Sequence, residues 1–227
     1  MEGITLEEFL VRERVRATTY HLLAQCYMLP EKTKEEKLID SLFELLSLVN
    51  EEAAGYAKLM KDDLEKISNI DELKFDYLSM FVGPKTLLAP PYGSTYMEEQ
   101  GQIMGVSTYD AMRIYQEAGL KKAADFKEPP DHIRVELDFM FTLIQQTIEL
   151  CEESKLSEAE NKINLQLEFL AKHIAGWVKP FTNNIIENAK TDFYKNLAKA
   201  TEAFIRQEFI EDSIAMQEEF KELSIVN

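Results

Sequence analysis

Glycine and proline are scarce in this chain, 8 and 7 in 227 residues. So few breakers exclude a turn-rich fold and favour long helices. Cysteine is scarcer still: Cys26 and Cys151 lie far apart and no Cys-x-x-Cys occurs, so neither a zinc knuckle nor a redox dithiol is indicated. The two thiols read as small buried hydrophobes in a reducing compartment. None of the three histidines, His21, His132 and His173, has an acid three residues before it. That removes the paired Glu-x-x-His motifs of a helical di-metal enzyme. No Gly-x-x-x-x-Gly-Lys phosphate loop and no Gly-x-Ser-x-Gly elbow is present. The sequence therefore predicts no catalysis, no metal and no cofactor. Positive charge is in deficit, 25 Lys and Arg against 41 Asp and Glu, for a net charge of −16. Such a chain repels nucleic acid and attracts a basic partner. No apolar run approaches transmembrane length, and Met1–Phe9 carries three glutamates and no apolar signal-peptide core. The expectation is a cytoplasmic protein without stable membrane insertion.

Helical signals recur throughout. Thr5-Leu-Glu-Glu8 reads as a capping box ahead of Leu6, Phe9, Leu10, Ala17, Leu23, Ala24 and Tyr27, with Pro30 as the stop. Thr33–Glu36 and Ser157–Glu160 read as further boxes, Ser107 and Thr191 as N-caps, and Pro180 as a helix opener. Leu73, Tyr77, Leu78 and Phe81 suggest a short amphipathic helix. His21 and His173 fall in helical patterns and read as core-edge side chains bonded locally. Nothing alternates with strand period. The predicted class is all-α, with 82–97 and 119–131 as the long non-helical stretches.

Those two stretches stand out. The first contains Gly83, Pro84, Pro90, Pro91 and Tyr92, yet is rich in apolar and aromatic side chains. Leu87, Leu88, Tyr92 and Tyr96 seal the core, or the aromatics with their polar tips, fixed by Pro90-Pro91, line a groove for a peptide. The second runs Glu128-Pro-Pro-Asp-His-Ile-Arg-Val-Glu136. Two prolines bar a helix, Asp131 stands where an N-cap belongs, and Ile133, Leu137, Met140, Phe141 and Ile144 follow at helical spacing. Taken alone, Glu128 reads as a loop charge and Glu136 as part of a solvated helix face.

Three ordered blocks carry a family resemblance. The first is Tyr77-x-x-x-Phe81-x-Gly83-Pro84 with Pro90-Pro91-Tyr92-x-Ser94-x-Tyr96. The second is Glu128-x-Pro130-Asp131-His132-Ile133-x-x-Glu136-Leu137-x-Phe139-Met140. The third is Phe169-Leu170-x-x-His173-Ile174-x-x-Trp177-x-x-Pro180-Phe181 with Ala189-x-Thr191-x-Phe193-Tyr194-x-x-Leu197-Ala198. Together they resemble the TorD/DmsD-like redox-enzyme maturation chaperones, to which the nitrate reductase delta chaperone is related. The likeness runs from about Tyr77 to Phe204.

The resemblance implies an all-helical bundle of two lobes. An N-terminal lobe would span 1–120 with its loop at 82–97, a hinge 121–131, and a C-terminal lobe 132–227. It also implies a cytoplasmic chaperone, monomeric or homodimeric, that binds the twin-arginine leader and apoprotein of a molybdopterin oxidoreductase subunit. Such a chaperone assists cofactor insertion and holds back export. The family's peptide-binding positions carry over to Tyr77, Phe81, Gly83, Pro84, Pro91, Tyr92, Ser94, Tyr96, Asp131 and His132, and the chemistry of an arginine-bearing peptide adds Glu128 and Glu136. Two leader arginines call for planar carboxylates, and Glu128, Asp131 and Glu136 are the candidates. His132 sits at a helix start, which favours its neutral form, beside acids that favour its cation. The alternative is a helical adaptor that binds a peptide segment of some other partner.

Overall fold

A computed structural model describes residues 4–83, 86–120 and 128–226. The helices are α1 (Leu6–Cys26), α2 (Lys32–Val49), α3 (Glu51–Lys66), α4 (Asp71–Tyr77), α5 (Ser94–Met97), α6 (Val106–Glu117), α7 (Ile133–Glu152), α8 (Leu156–Phe169), α9 (Ala175–Asn188), α10 (Asp192–Gln207) and α11 (Ser213–Val226). Three π turns, Leu78–Val82, Leu170–Ile174 and Glu208–Asp212, continue α4, join α8 to α9 and join α10 to α11. Among the described residues no strand forms; an isolated antiparallel bridge pairs Tyr92 with His132. The chain is all-α, as its composition and periodicity predict.

The core is a cluster running from Phe9 in α1 to Leu223 in α11. α1 packs on α7 and α3 on α10, so helices from before and after 121–131 share it. Residues 121–127 of the expected hinge lie outside the described residues. Cys26 and Cys151 are both free and buried.

Helix starts separate local signals from tertiary ones. The Thr5 box forms as read: Glu8 N–H donates to Thr5 Oγ1 (3.2 Å) and Thr5 N–H to Glu8 Oε2 (2.8 Å). Pro30 follows the end of α1, as expected. The other two boxes do not form. α2 starts two residues early, at Lys32, with Glu31 as N-cap, and α8 starts at Leu156 after Lys155, leaving Thr33 and Ser157 inside their helices. Ser107 is likewise inside α6. Its amide and hydroxyl both donate to Glu98 Oε1 (2.8 and 2.7 Å), so the cap comes from an acid nine residues upstream. Pro180 opens nothing: it lies within α9, where the preceding π turn carries the chain on from α8 without a break. The stretch 82–97 also ends in a short helix, α5.

Thr191 is the N-cap of α10, but its hydroxyl donates to Asp76 Oδ2 (2.7 Å). Asp76 also accepts from the amides of Lys190 (3.0 Å) and Thr191 (2.8 Å), so this buried α4 carboxylate caps a helix 115 residues away. Asp76→Ala leaves two amides and a hydroxyl without their acceptor. It is expected to cost about 2–4 kcal/mol of unfolding free energy in denaturant titrations. Asp71→Ala, on the exposed first turn of the same helix, should stay within about 0.5 kcal/mol of wild type.

α1 also buries charge. Arg16 donates to Glu208 through Nε (2.9 Å) and Nη2 (2.7 Å) and to Glu13 through Nη1 (2.6 Å), and the Tyr20 hydroxyl donates to Glu208 (3.1 Å). All three charged side chains are buried. These positions interrupt the apolar face of α1 because the ion network replaces hydrocarbon there.

Candidate functional site

The segment 91–94 lies along the start of α7 and is held by short bonds. Ile133 N–H donates to Pro91 O (2.8 Å), Gly93 N–H to Asp131 O (2.8 Å) and Ser94 N–H to Asp131 Oδ2 (2.8 Å). Asp131 is therefore not the N-cap of α7. That position is one residue later, where His132 Nδ1 accepts from Arg134 N–H (3.1 Å). The prolines explain the shift: Pro129 O receives the His132 amide in a turn, and Asp131 faces back toward Ser94.

As an acceptor from a backbone N–H, His132 Nδ1 carries no proton. Burial first, then the charge of Arg134, outweigh Asp131 and push the imidazole down to about 4. The opposed sequence arguments thus resolve in favour of neutral His132. Its ring meets Tyr92 edge-on, with centroids 5.4 Å apart. A histidine with a lowered folded pKa gives stability that is complete above the unfolded value near 6.5 and is lost as pH falls toward about 4. His132→Asn keeps a capping side chain. Its melts should lose less on acidification than wild type across that window, where the full swing is on the order of 3 kcal/mol. Equal acid slopes would mean that His132 is not held neutral.

Glu136 is fully buried rather than on a solvated face, and its Oε2 accepts from Trp177 Nε1 (2.9 Å). Burial first, and the charge of Asp131, raise its carboxyl well above the usual range against the lowering effect of the Trp177 bond. Trp177 stacks on Tyr96 (5.6 Å), and the Tyr96 hydroxyl accepts from Asn184 Nδ2 (3.3 Å). Gly93 is required here, because a Cβ would lie 2.8 Å from Trp177 Nε1, inside a rigid ring.

Tyr77 and Phe81 pack into an aromatic cluster with Tyr27, Phe181 and Tyr194. Phe81 is buried, whereas Tyr77 is half-buried and donates to Tyr27 O (3.3 Å). Glu128, Arg134 and Tyr92 all lie close enough to Tyr77 to bear on its charge. The Tyr92 hydroxyl lies 3.5 Å from Glu128 Oε2. Gly83 closes the π turn through a 2.6 Å bond to Leu78 O at φ +46°, a backbone setting that suits glycine. Pro84 lies outside the described residues. The structure thus brings Pro91, Tyr92, Ser94, Asp131, His132 and Glu136 together, with Tyr77 and Glu128 beside them, and sets Phe81 in the core and Tyr96 against Trp177.

Along α4 and the π turn, Leu73, Asp76, Met80 and Phe81 point inward, while Phe75 (71% exposed), Leu78 (39%) and Val82 (54%) point outward. Leu78 is therefore not on the buried face that the helical spacing predicts. Leu88 (42%) joins this surface, since Ala89 N–H bonds to Met80 O. An apolar strip of three side chains thus lies on α4 and its π turn, with the exposed Leu88 on the loop that returns to it. The sequence reading missed Phe75, Val82 and Arg134, and took Leu87 and Leu88 only as possible core sealers. The one signal that could have found them is the surplus of apolar residues in 75–88 over what one face of a short helix can bury. His21 and His173 are bonded across helices rather than locally, to Asp138 on α7 (3.0 Å) and Asp110 on α6 (3.2 Å). Among the described residues no group of three or more His, Cys, Asp or Glu side chains is placed to hold a metal, and no helix is long and apolar enough to cross a membrane.

Residues 47–183, which contain Tyr77, Phe81, segment 91–96, Glu128–Glu136 and Trp177, match the nitrate reductase delta subunit family. The chain belongs to that family. The chaperone protein TorD of Aliivibrio fischeri is 30% identical over 135 residues, 60% of this chain and 61% of that one. The match thus spans less than two thirds of that relative's length. TorD of Photobacterium profundum is 28% identical over 202 residues, 83% of this chain and 88% of that protein. A crystal structure of a candidate redox enzyme maturation protein from Archaeoglobus fulgidus has a TM-score of 0.49 and 23% identity, covering 86% of this chain and 93% of that one. In this delta-subunit family member, the predicted site residues all fall inside the matched range, and their supporting partners Tyr27, Asn184 and Tyr194 fall outside it.

Proposed function

We propose that this protein is a cytoplasmic, non-enzymatic chaperone for an oxidoreductase subunit. It takes the twin-arginine leader of a molybdopterin-containing apoenzyme and holds it during cofactor insertion, before export. The observation that carries this reading is the apolar strip Phe75, Leu78 and Val82, with Leu88, beside Tyr77, Tyr92 and Glu128 on a strongly acidic chain. A leader has the complementary chemistry: guanidinium groups followed by an apolar, helix-prone segment. The relatives named TorD support the chaperone class.

Asp131 and Glu136 are buried and bonded to Ser94 and Trp177, so they shape the site. The half-buried Glu128, beside the Tyr92 hydroxyl, and the general negative field would meet the arginines. Titration calorimetry with a twin-arginine leader peptide across a salt series tests the reading. Affinity should fall as salt shortens the electrostatic range from roughly 8 Å at physiological ionic strength, yet part should survive because apolar surface is buried. No binding at low salt, or equal binding of a charge-matched scrambled peptide, would count against a leader as the ligand.

A further inference from the structure

The function proposed above leaves one half-buried carboxylate, Glu128, for two leader arginines. Successive side chains of an extended chain point to opposite sides, so adjacent arginines ask for two separate acceptors. The outer face of α7 holds a second acid. Asp138 lies one turn past Arg134, and its side chain is 32% exposed. His21 of α1 fixes it: Nδ1 lies 3.0 Å from Asp138 Oδ1, and the His21 ring packs on Phe141 with centroids 4.9 Å apart. The other oxygen, Oδ2, faces Arg134, whose Nε is 3.9 Å away. That distance makes an ion contact but is too long for a hydrogen bond. Arg134 also belongs to the site. Its amide donates to His132 Nδ1 (3.1 Å), the His132 ring meets Tyr92, and Arg134 and Glu128 both bear on Tyr77. In chain order Arg134 stands between the two acids, Glu128 before the start of α7 and Asp138 one turn further on.

We propose that Asp138 is the second arginine receptor of the leader site, oriented by His21 and screened by Arg134 until a leader guanidinium takes Arg134's place. The exchange conserves charge at Asp138: one guanidinium in loose contact with Oδ2 leaves, and another of the same kind bonds to it. The Arg134 side chain is 30% exposed, so it turns to solvent without disturbing the packed face of α7. Arg134 then sets specificity. A ligand with one cation pairs with Glu128 and leaves Arg134 where it is. Only a second guanidinium profits from displacing it, so the arrangement favours paired arginines over single ones. This assignment rests on the leader reading of the site.

Titration calorimetry at low salt with three synthetic peptides tests it: a leader with both arginines, and the same peptide with either arginine replaced by glutamine. Asp138→Asn keeps an acceptor for His21 and should melt close to wild type; Asp138→Gln supplies the same comparison if the asparagine disturbs the helix. The variant should bind the twin-arginine peptide about tenfold more weakly, through loss of one charge-assisted hydrogen bond. Against one of the two single-arginine peptides it should cost less than about twofold, because the group that Asp138 would meet is already gone. Arg134→Gln should tighten the twin-arginine peptide about threefold by removing the resident cation. Glu158→Gln, an exposed acid on α8, takes the same charge from the general field and should change each affinity by less than about twofold. Equal losses for Asp138→Asn across all three peptides, or losses no larger than those of Glu158→Gln, overturn the assignment and leave the leader reading standing. Weaker binding by Arg134→Gln overturns the displacement. A wild type that binds no twin-arginine peptide overturns both the assignment and the leader reading.

Discussion

Arg16→Met is expected to lower the unfolding free energy by about 3–5 kcal/mol. The guanidinium is the common partner of Glu13 and Glu208, and all three side chains are buried in the contact between α1 and the π turn after α10. Removing it leaves two carboxylates facing each other where water does not reach. Both would have to protonate or draw water in, and the π turn that presents Glu208 would lose its anchor on α1. The cost therefore comes from the charges left behind. Combining Arg16→Met with Glu13→Gln and Glu208→Gln should recover most of the loss, because neutral amides need no counter-charge and Tyr20 keeps an acceptor at position 208. Denaturant titration of the single and triple variants measures both steps. A single variant within about 1 kcal/mol of wild type would show that the network is solvated.

The second large effect is expected at the apolar strip. Leu78→Ser combined with Val82→Ser should weaken leader binding about ten- to a hundredfold and leave the melt nearly unchanged. Each side chain is already half or more exposed or close to it, so replacing it removes little folding energy. If the apolar part of a leader covers both, the double change forfeits roughly 1.4–2.8 kcal/mol of apolar burial. Glu128→Gln acts differently. It should reduce affinity mainly at low salt and flatten the salt dependence, because it removes charge without removing apolar surface. Calorimetry on the two kinds of variant separates the apolar from the ionic contribution. A strip variant that binds like wild type would place the leader elsewhere.

Much of this architecture was legible because it is local. The Thr5–Glu8 box, the Pro30 stop, the Thr191 cap position and the apolar periodicities all depend on residues within a few positions of one another, and the structure keeps them. What stayed hidden depends on distant partners. Glu98 displaces Ser107 as the cap of α6, and Asp76 takes over the capping bonds of α10. Among the described residues three π turns insert a residue that no helical count anticipates, and one carries α8 through to Pro180. The candidate site shows the same division. The grouping of 91–96 with 128–136 could be read from the motifs. Only the fold reveals that Glu136 faces a tryptophan 41 positions along and that Asp131 yields its capping role to His132.

The central claim is that a leader lies along the outer face of α4 and its π turn, ending beside Glu128. Methyl-labelled NMR during titration with a twin-arginine leader peptide tests this directly, because the exposed apolar side chains form separate reporters. The account predicts saturable shifts at the methyls of Leu78, Val82 and Leu88. It predicts still signals at Ile103 and Val106 before and at the start of α6, and at Ile210 and Ile214 around the start of α11, all of which are exposed too. Shifts confined to either of those other patches, with Leu78, Val82 and Leu88 unmoved at saturation, would contradict it.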